Sequence, residues 1–252
     1  MIQSNIFTDS AIRKTIATKG PFQVIEYQKD MSVNKESAMM MYYAAQMNVR
    51  KRQVIANLDN SGVTIQAGAM QLMLGNVNAQ TNVSSAGDLL KKVVGSRVTG
   101  ETAIKPRYTG VGSIVLEPTY KYVLLEDLSE WEGQMVIEDG LFLACQDGVS
   151  LSVVARSNLS SAVLGGEGLF NTVLKGNGVV VLESPVPREE LIVVDLKDDV
   201  LKIDGNMAIA WSNTLTFTVE KVTKTLVGSA ASGEGFVNVY RGTGKVLIAV
   251  VK

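Results

Sequence analysis

A short motif that returns at a fixed interval constrains this chain more than any other feature, because equivalent modules must fold in equivalent ways. The segments Tyr108-Thr109-Gly110-Val111-Gly112-Ser113-Ile114, Leu174-Lys175-Gly176-Asn177-Gly178-Val179-Val180 and Tyr240-Arg241-Gly242-Thr243-Gly244-Lys245-Val246 follow one another at steps of 66 residues. Each is a Gly-x-Gly followed by a β-branched, apolar run, which reads as a tight turn or bulge leading into a buried strand. Gly110, Gly112, Gly176, Gly178, Gly242 and Gly244 are therefore assigned to backbone geometry. A second motif precedes the first. Ile137 to Ala144 resembles Ile203 to Ala210 at the same step, and Ile65 to Leu72 at a step of 72. The extra length in the first copy falls on Ala86 to Val94, where Asp88 before Leu89 and Leu90 reads as a helix N-cap. A third motif, Gly100-Glu101, Gly166-Glu167 and Gly233-Glu234, stands between the other two in every copy.

Three motifs in one order, three times over, predict three tandem units at 53–118, 119–184 and 185–252, behind an N-terminal extension of residues 1–52. Pro118, Pro185 and Pro187 mark the junctions, as expected where a chain leaves one sheet for another. Alternation such as Leu215-Thr216-Phe217-Thr218-Val219 is the pattern of an antiparallel sheet with one solvated face. The expected fold is mainly β, a β-sandwich or barrel-like unit repeated three times, with a short helical or mixed N-terminal extension. Within the extension, Phe22 to Tyr27 reads as a strand. The Met/Tyr-rich stretch Glu36 to Met47 is apolar on all sides, and is read as buried or covered by a partner subunit before being read as a cofactor or lipid site.

Composition narrows the function classes. The one cysteine, Cys145, sits in an apolar run and reads as a small buried hydrophobe; a chain without a partner cysteine suits a reducing compartment. Residues 1 to 19 are polar, unlike a secretory signal, and the longest apolar stretch is too short to cross a bilayer. The expected location is the cytoplasm. A formal charge of −1 provides no bulk attraction to nucleic acid. The basic run Arg50-Lys51-Arg52 is read as a solvated strand edge.

The chain has no histidine, which removes the commonest general base and the triads and zinc sites built on it. The acid pairs Glu189-Glu190 and Asp198-Asp199 read as strand neighbours pointing to opposite, solvated faces. Arg241-Gly242-Thr243-Gly244-Lys245-Val246 superficially matches the end of a phosphate-binding loop, but Val246 stands where Ser or Thr would hold magnesium. Val179 and Ser113 replace Lys245 in the other copies, so the lysine is incidental. Glu101, Glu167 and Glu234 have two readings. Either each accepts N–H groups of its own turn, which is favoured, or the three converge on an axis to bind a cation or basic partner. No catalytic residue, cofactor or metal is expected.

Gly68-Ala69-Met70 with Gly75, Gly166-Glu167-Gly168-Leu169-Phe170 before Gly176-Asn177-Gly178, and Gly233-Glu234-Gly235 before Gly242-Thr243-Gly244 carry a resemblance. Over roughly residues 50 to 252 the chain resembles the altered inheritance of mitochondria protein twenty-four family. The resemblance implies a β fold similar to that of the tryptophan RNA-binding attenuation protein, ring-like oligomers, and a membrane-associated protein among the candidate partners. It brings no catalytic residue pattern. The expected function is a non-catalytic scaffold or binding protein forming a symmetric homo-oligomer, a trimer with nine β units around one axis. The alternatives are an RNA or small-ligand binder and, behind that, a carboxylate- or serine-dependent enzyme.

Overall fold

Apolar residues alternating with polar ones produce antiparallel strands along most of the chain, and the computed structural model describes residues 3–81, 105–155, 170–221 and 236–250. Asp88, Glu101, Glu167 and Glu234 lie outside the described residues. The N-terminal part forms β1 (Arg13–Lys19), β2 (Phe22–Tyr27) and the helix α1 (Ala38–Gln46). Then follow β3 (Arg52–Ile65), β4 (Met70–Gln80) and β5 (Arg107–Leu116). The middle of the chain holds β6 (Tyr122–Asp127), β7 (Gln134–Ile137), β8 (Phe142–Gln146), β9 (Val149–Ala155), β10 (Phe170–Gly176) and β11 (Val179–Ser184). The last stretch is β12 (Leu191–Asp204), β13 (Ala208–Ser212), β14 (Thr216–Lys221) and β15 (Phe236–Ala249).

The chain is mainly β, and its strands form two antiparallel sheets. One runs β1-β2-β3-β8-β11-β6, with β5 also on β3 and β4 on β5. The other runs β12-β15-β13-β7-β10-β9, with β14 on β15. This differs from three separate sandwiches. The middle stretch is divided, since β6, β8 and β11 join the first sheet while β7, β9 and β10 join the second. Nor does the chain change sheets at Pro118, because β5 and β6 on either side of it share the first sheet; it does change between β11 and β12, where Pro185 and Pro187 lie.

One local device bends the long strands. Asn60 (φ +49°), Glu132 (φ +54°) and Asp198 (φ +53°) are left-handed non-glycine residues, and each faces a Gly-x-Gly. Opposite Asn60 the register of β3 on β5 shifts between Asp59 and Ser61; opposite Asp198 that of β12 on β15 shifts between Leu196 and Asp199. In the middle stretch the same device becomes a full break. There a 3₁₀ turn, Leu128–Trp131, leads into Glu132 and separates β6 from β7. All six repeat glycines hold positive φ, from +120° at Gly242 to +157° at Gly244. A Cβ at Gly110 would lie 2.1 Å from the Asn76 carbonyl oxygen, and one at Gly176 2.0 Å from that of Gly148. Backbone passes where a side chain would have to sit.

The core follows the sheets. Leu124, Phe142, Cys145, Val180 and Leu182 of the first sheet pack with Met135, Ile137, Leu174, Ile209 and Leu247 of the second, capped by Leu128 and Trp131 from the 3₁₀ turn. Phe22, Val54, Val63, Ile65, Ile114 and Val181 form a cluster on the first sheet alone. Trp211 stacks on Phe217, with Tyr240 edge-on to the first and tilted to the second, in the matching cluster on the second sheet.

Candidate functional site

A concave surface lies where the chain leaves β2 and returns to β3. These strands are antiparallel neighbours with Glu26 opposite Arg52, so the excursion through α1 begins and ends at one place. Its root is clamped by charge. Arg52 is 2% exposed; its Nη2 lies 2.8 Å from Glu26 Oε2 and donates to Asn48 O and Oδ1, and its guanidinium sits 4.2 Å from the Tyr122 ring centroid. Arg50 reaches the other Glu26 oxygen at 3.2 Å and Gln28 Oε1 at 2.8 Å. Lys51 pairs with Asp30 at 3.0 Å, and the Tyr120 hydroxyl donates to the same carboxylate at 2.7 Å. The run Arg50-Lys51-Arg52 is thus a paired, largely buried clamp and not a solvated edge. Burying an arginine is tolerable only with a carboxylate and further hydrogen bonds in place, which Glu26 and Asn48 supply.

Above this clamp opens a cleft of about 440 Å³, lined by Tyr27, Asp30, Met41, Tyr42, Arg50, Lys51 and Tyr120 among others. Hydrogen bonds from Ser32 first, and from Tyr120 and Lys51, hold the Asp30 carboxyl far below the usual carboxylate range. Asp30 in turn pushes the Tyr120 hydroxyl up. Both stay in their ordinary charge states at neutral pH, and the cleft offers aromatic faces and fixed charge.

Helix α1 forms one wall of the cleft and shows no buried residue. Met39, Met40, Tyr42, Tyr43 and Met47 are between 62% and 77% exposed. Among the described residues the reading of this stretch as buried is corrected, because no strand or helix packs over the outer face of α1; the alternative of a covering subunit stands.

The other sequence-derived candidates are dispersed. Burial pushes the Cys145 thiol up to about 12, which leaves it without nucleophilic character. Lys245 lies 5.0 Å from the Trp131 ring centroid and donates to the Glu130 carbonyl, away from any phosphate-loop geometry. Glu189 and Glu190 are exposed as read, but in a 3₁₀ turn, Arg188–Glu190, instead of a strand. Asp198 and Asp199 are exposed at the β12 bend. Among the described residues no three His, Cys, Asp or Glu side chains come together as a metal site, and no helix is long and apolar enough to cross a membrane.

Two features escaped the sequence reading. The Glu26–Arg52 clamp had no signal, since the partners are 26 positions apart and only strand pairing joins them. The left-handed residues did leave one: Asn60, Glu132 and Asp198 recur at the same steps of 72 and 66 as the apolar motif, and Asn and Asp favour that conformation.

Fold and surface together define a protein of two bent antiparallel sheets with an exposed apolar helix. The family model for mitochondrial biogenesis AIM24 matches residues 43–250, and the chain belongs to that family. It is similar to an uncharacterized protein of Streptococcus pyogenes serotype M6, 29% identical over 226 residues that cover 85% of this chain and 89% of that protein. The X-ray crystal structure of a protein from Streptococcus pyogenes shares the fold at a TM-score of 0.59, with 24% identity over 81% of this chain and 89% of that one.

Proposed function

We propose that this chain is a non-catalytic scaffold or binding protein of the cytoplasm that works as a symmetric homo-oligomer, a trimer around one axis. The observation that carries this reading is the bare apolar surface of α1, where four large side chains on one short helix, and Met47 just after it, stand more than 60% exposed. A soluble single chain seldom leaves such a patch uncovered. Sedimentation velocity at micromolar concentration should give the mass of three chains; a single-chain mass overturns the proposal.

The cleft beside α1 supports a second reading, as a small-ligand site. Tyr27, Tyr42 and Tyr120 offer ring faces to an aromatic or apolar ligand. Of its three lining cations, Arg50 pairs with Glu26 and Lys51 with Asp30, which leaves exposed Lys29 and favours a neutral small ligand over RNA. Filter binding at low salt should retain no RNA, while an environment-sensitive apolar dye should bind and lose affinity in Tyr42→Ala. Unchanged dye binding in that variant removes the cleft as the site.

A further inference from the structure

Two strand joints inside the chain are copies of each other. In the first, β3 pairs with β8 through Val63↔Gln146, Thr64↔Cys145 and Ile65↔Ala144. In the second, β7 pairs with β13 through Met135↔Ser212, Val136↔Trp211 and Ile137↔Ala210. The flanking backbone bonds agree atom for atom. Gln66 N–H donates to Leu143 O in one joint and Glu138 N–H to Ile209 O in the other; Asp147 N–H donates to Gly62 O, and Asn213 N–H to Gln134 O. Every residue of the first joint maps onto the second by the sequence steps of 72 on the β3 side and 66 on the β8 side.

Extending the same steps leaves one half-joint at each end of the chain. The β7 segment maps onto Leu201, Lys202 and Ile203 of β12, and the β8 segment maps back onto Leu72, Met73 and Leu74 of β4. Among the described residues neither half is closed within the chain, since β12 pairs only with β15 and β4 only with β5. Burial records the difference. Ala144, Cys145, Ala210 and Trp211 are at most 3% exposed, whereas their counterparts Leu72 and Met73 are 37% and 41% exposed, and Val200 beside the β12 half is 44% exposed. Strand β4 carries no charge from Met70 to Gln80, so it lacks the usual protection of an edge strand. On β12 the charges Asp195, Lys197, Asp198 and Asp199 guard the first half and the bend, and leave Val200 to Ile203 with Lys202 alone.

We propose that the β12 edge of one copy adds to the β4 edge of the next, head to tail, in the register Leu201↔Leu74, Lys202↔Met73 and Ile203↔Leu72. Asp204 N–H then donates to Gln71 O of the next copy, and Gly75 N–H to Val200 O. The two edges are different surfaces, so the contact is heterologous and closes only as a ring. This inference rests on the homo-oligomer reading and adds to it which strands meet, and in what order.

The full-length chain tests it. Leu201 and Leu74 form a non-hydrogen-bonded pair in this register, at a Cα separation of about 4.5 Å that suits a disulfide. The double variant Leu74→Cys/Leu201→Cys should give, under mild oxidation, a ladder on a non-reducing denaturing gel that ends at the oligomer's chain number. Each single variant should stay unlinked, and buried Cys145 contributes no background. Linking in either single variant means that like edges meet, and overturns the proposal. Met73→Pro, which removes an outward N–H, should shift the sedimenting species to single chains with an unchanged circular dichroism spectrum; Met73→Lys should do the same if proline disturbs folding. A wild-type chain that sediments as a monomer defeats the homo-oligomer reading itself. An intact oligomer that neither cross-links in the double variant nor dissociates in either Met73 variant leaves that reading standing and removes this joint alone.

Discussion

Strands β3 and β12 have the same length, fourteen residues, and the same bend, Asn60 in one and Asp198 in the other, yet they meet different surroundings. The outer edge of β3 is covered along both halves, by β2 at Arg52 to Ala56 and by β8 at Val63 to Ile65. That of β12 meets no strand among the described residues, with Ile192 and Val193 nearly half exposed. The backbone plan is therefore indifferent to burial, and what lies alongside decides which residues a strand can carry. Val54 and Ile192 occupy matching positions on this plan, as do Arg52 and Glu190.

The sharpest break of this comparison is a charge placed at matching positions. Val54→Lys, at a site 1% exposed, should lose about 5 kcal/mol, because an unpaired charge inside the fold is left without water. Ile192→Lys should stay within about 0.5 kcal/mol. Urea unfolding midpoints of the two variants measure the contrast. Next in size, Arg52→Ala should cost about 3 kcal/mol by removing one of the two arginines that hold buried Glu26, whereas Glu190→Ala on the matching exposed position should be close to neutral. A larger loss in Arg50→Ala/Arg52→Ala than in either single variant would identify the unpaired carboxylate as its source.

The bends give a smaller difference of the same sign. Gly110→Ala forces a Cβ onto the Asn76 carbonyl and should cost about 3 kcal/mol, while Gly242→Ala meets nothing nearer than 3.7 Å and should show only the left-handed backbone penalty of about 1–2 kcal/mol. Thermal scans of the pair separate crowding from backbone strain. Smaller still, Glu132→Gly should stabilise by about 1 kcal/mol, since that residue holds a positive φ with a full side chain. A last test concerns the α1 excursion, which β12 lacks. Asp30 is held below its unfolded value of 3.8, so its contribution is present above that pH and is lost as acid carries the protein below it. Asp30→Asn should remove that acid-side slope and let the Tyr120 phenol titrate at lower pH, read by absorbance.

Much of this was legible before any coordinates. Gly110, Gly176 and Gly242 announced their backbone role by recurring at one step, and the alternation around Phe217 gave the strand and its inward face. Phe22 to Tyr27 was read to its final bounds. The division of the middle stretch was not legible, because it turns on Glu132 adopting the same left-handed state as Asn60 and Asp198 while a 3₁₀ turn, Leu128–Trp131, precedes it. A glutamate gives no hint of that preference. Arg52 was misread for a related reason: a lone sequence shows a basic run but not the carboxylate across the sheet that takes it out of water. The exposure of the helix stayed one of two readings because a run of Met and Tyr looks the same whether its cover is intramolecular or absent.

The β3–β8 joint also sets a timetable for synthesis. Val63 to Ile65 find their mates only once Ala144 to Gln146 have left the ribosome, roughly eighty residues later. At about 5–20 residues per second that interval lasts on the order of 4–16 s. During it the nascent chain displays an apolar strand margin, and chaperones have their widest opportunity to engage it.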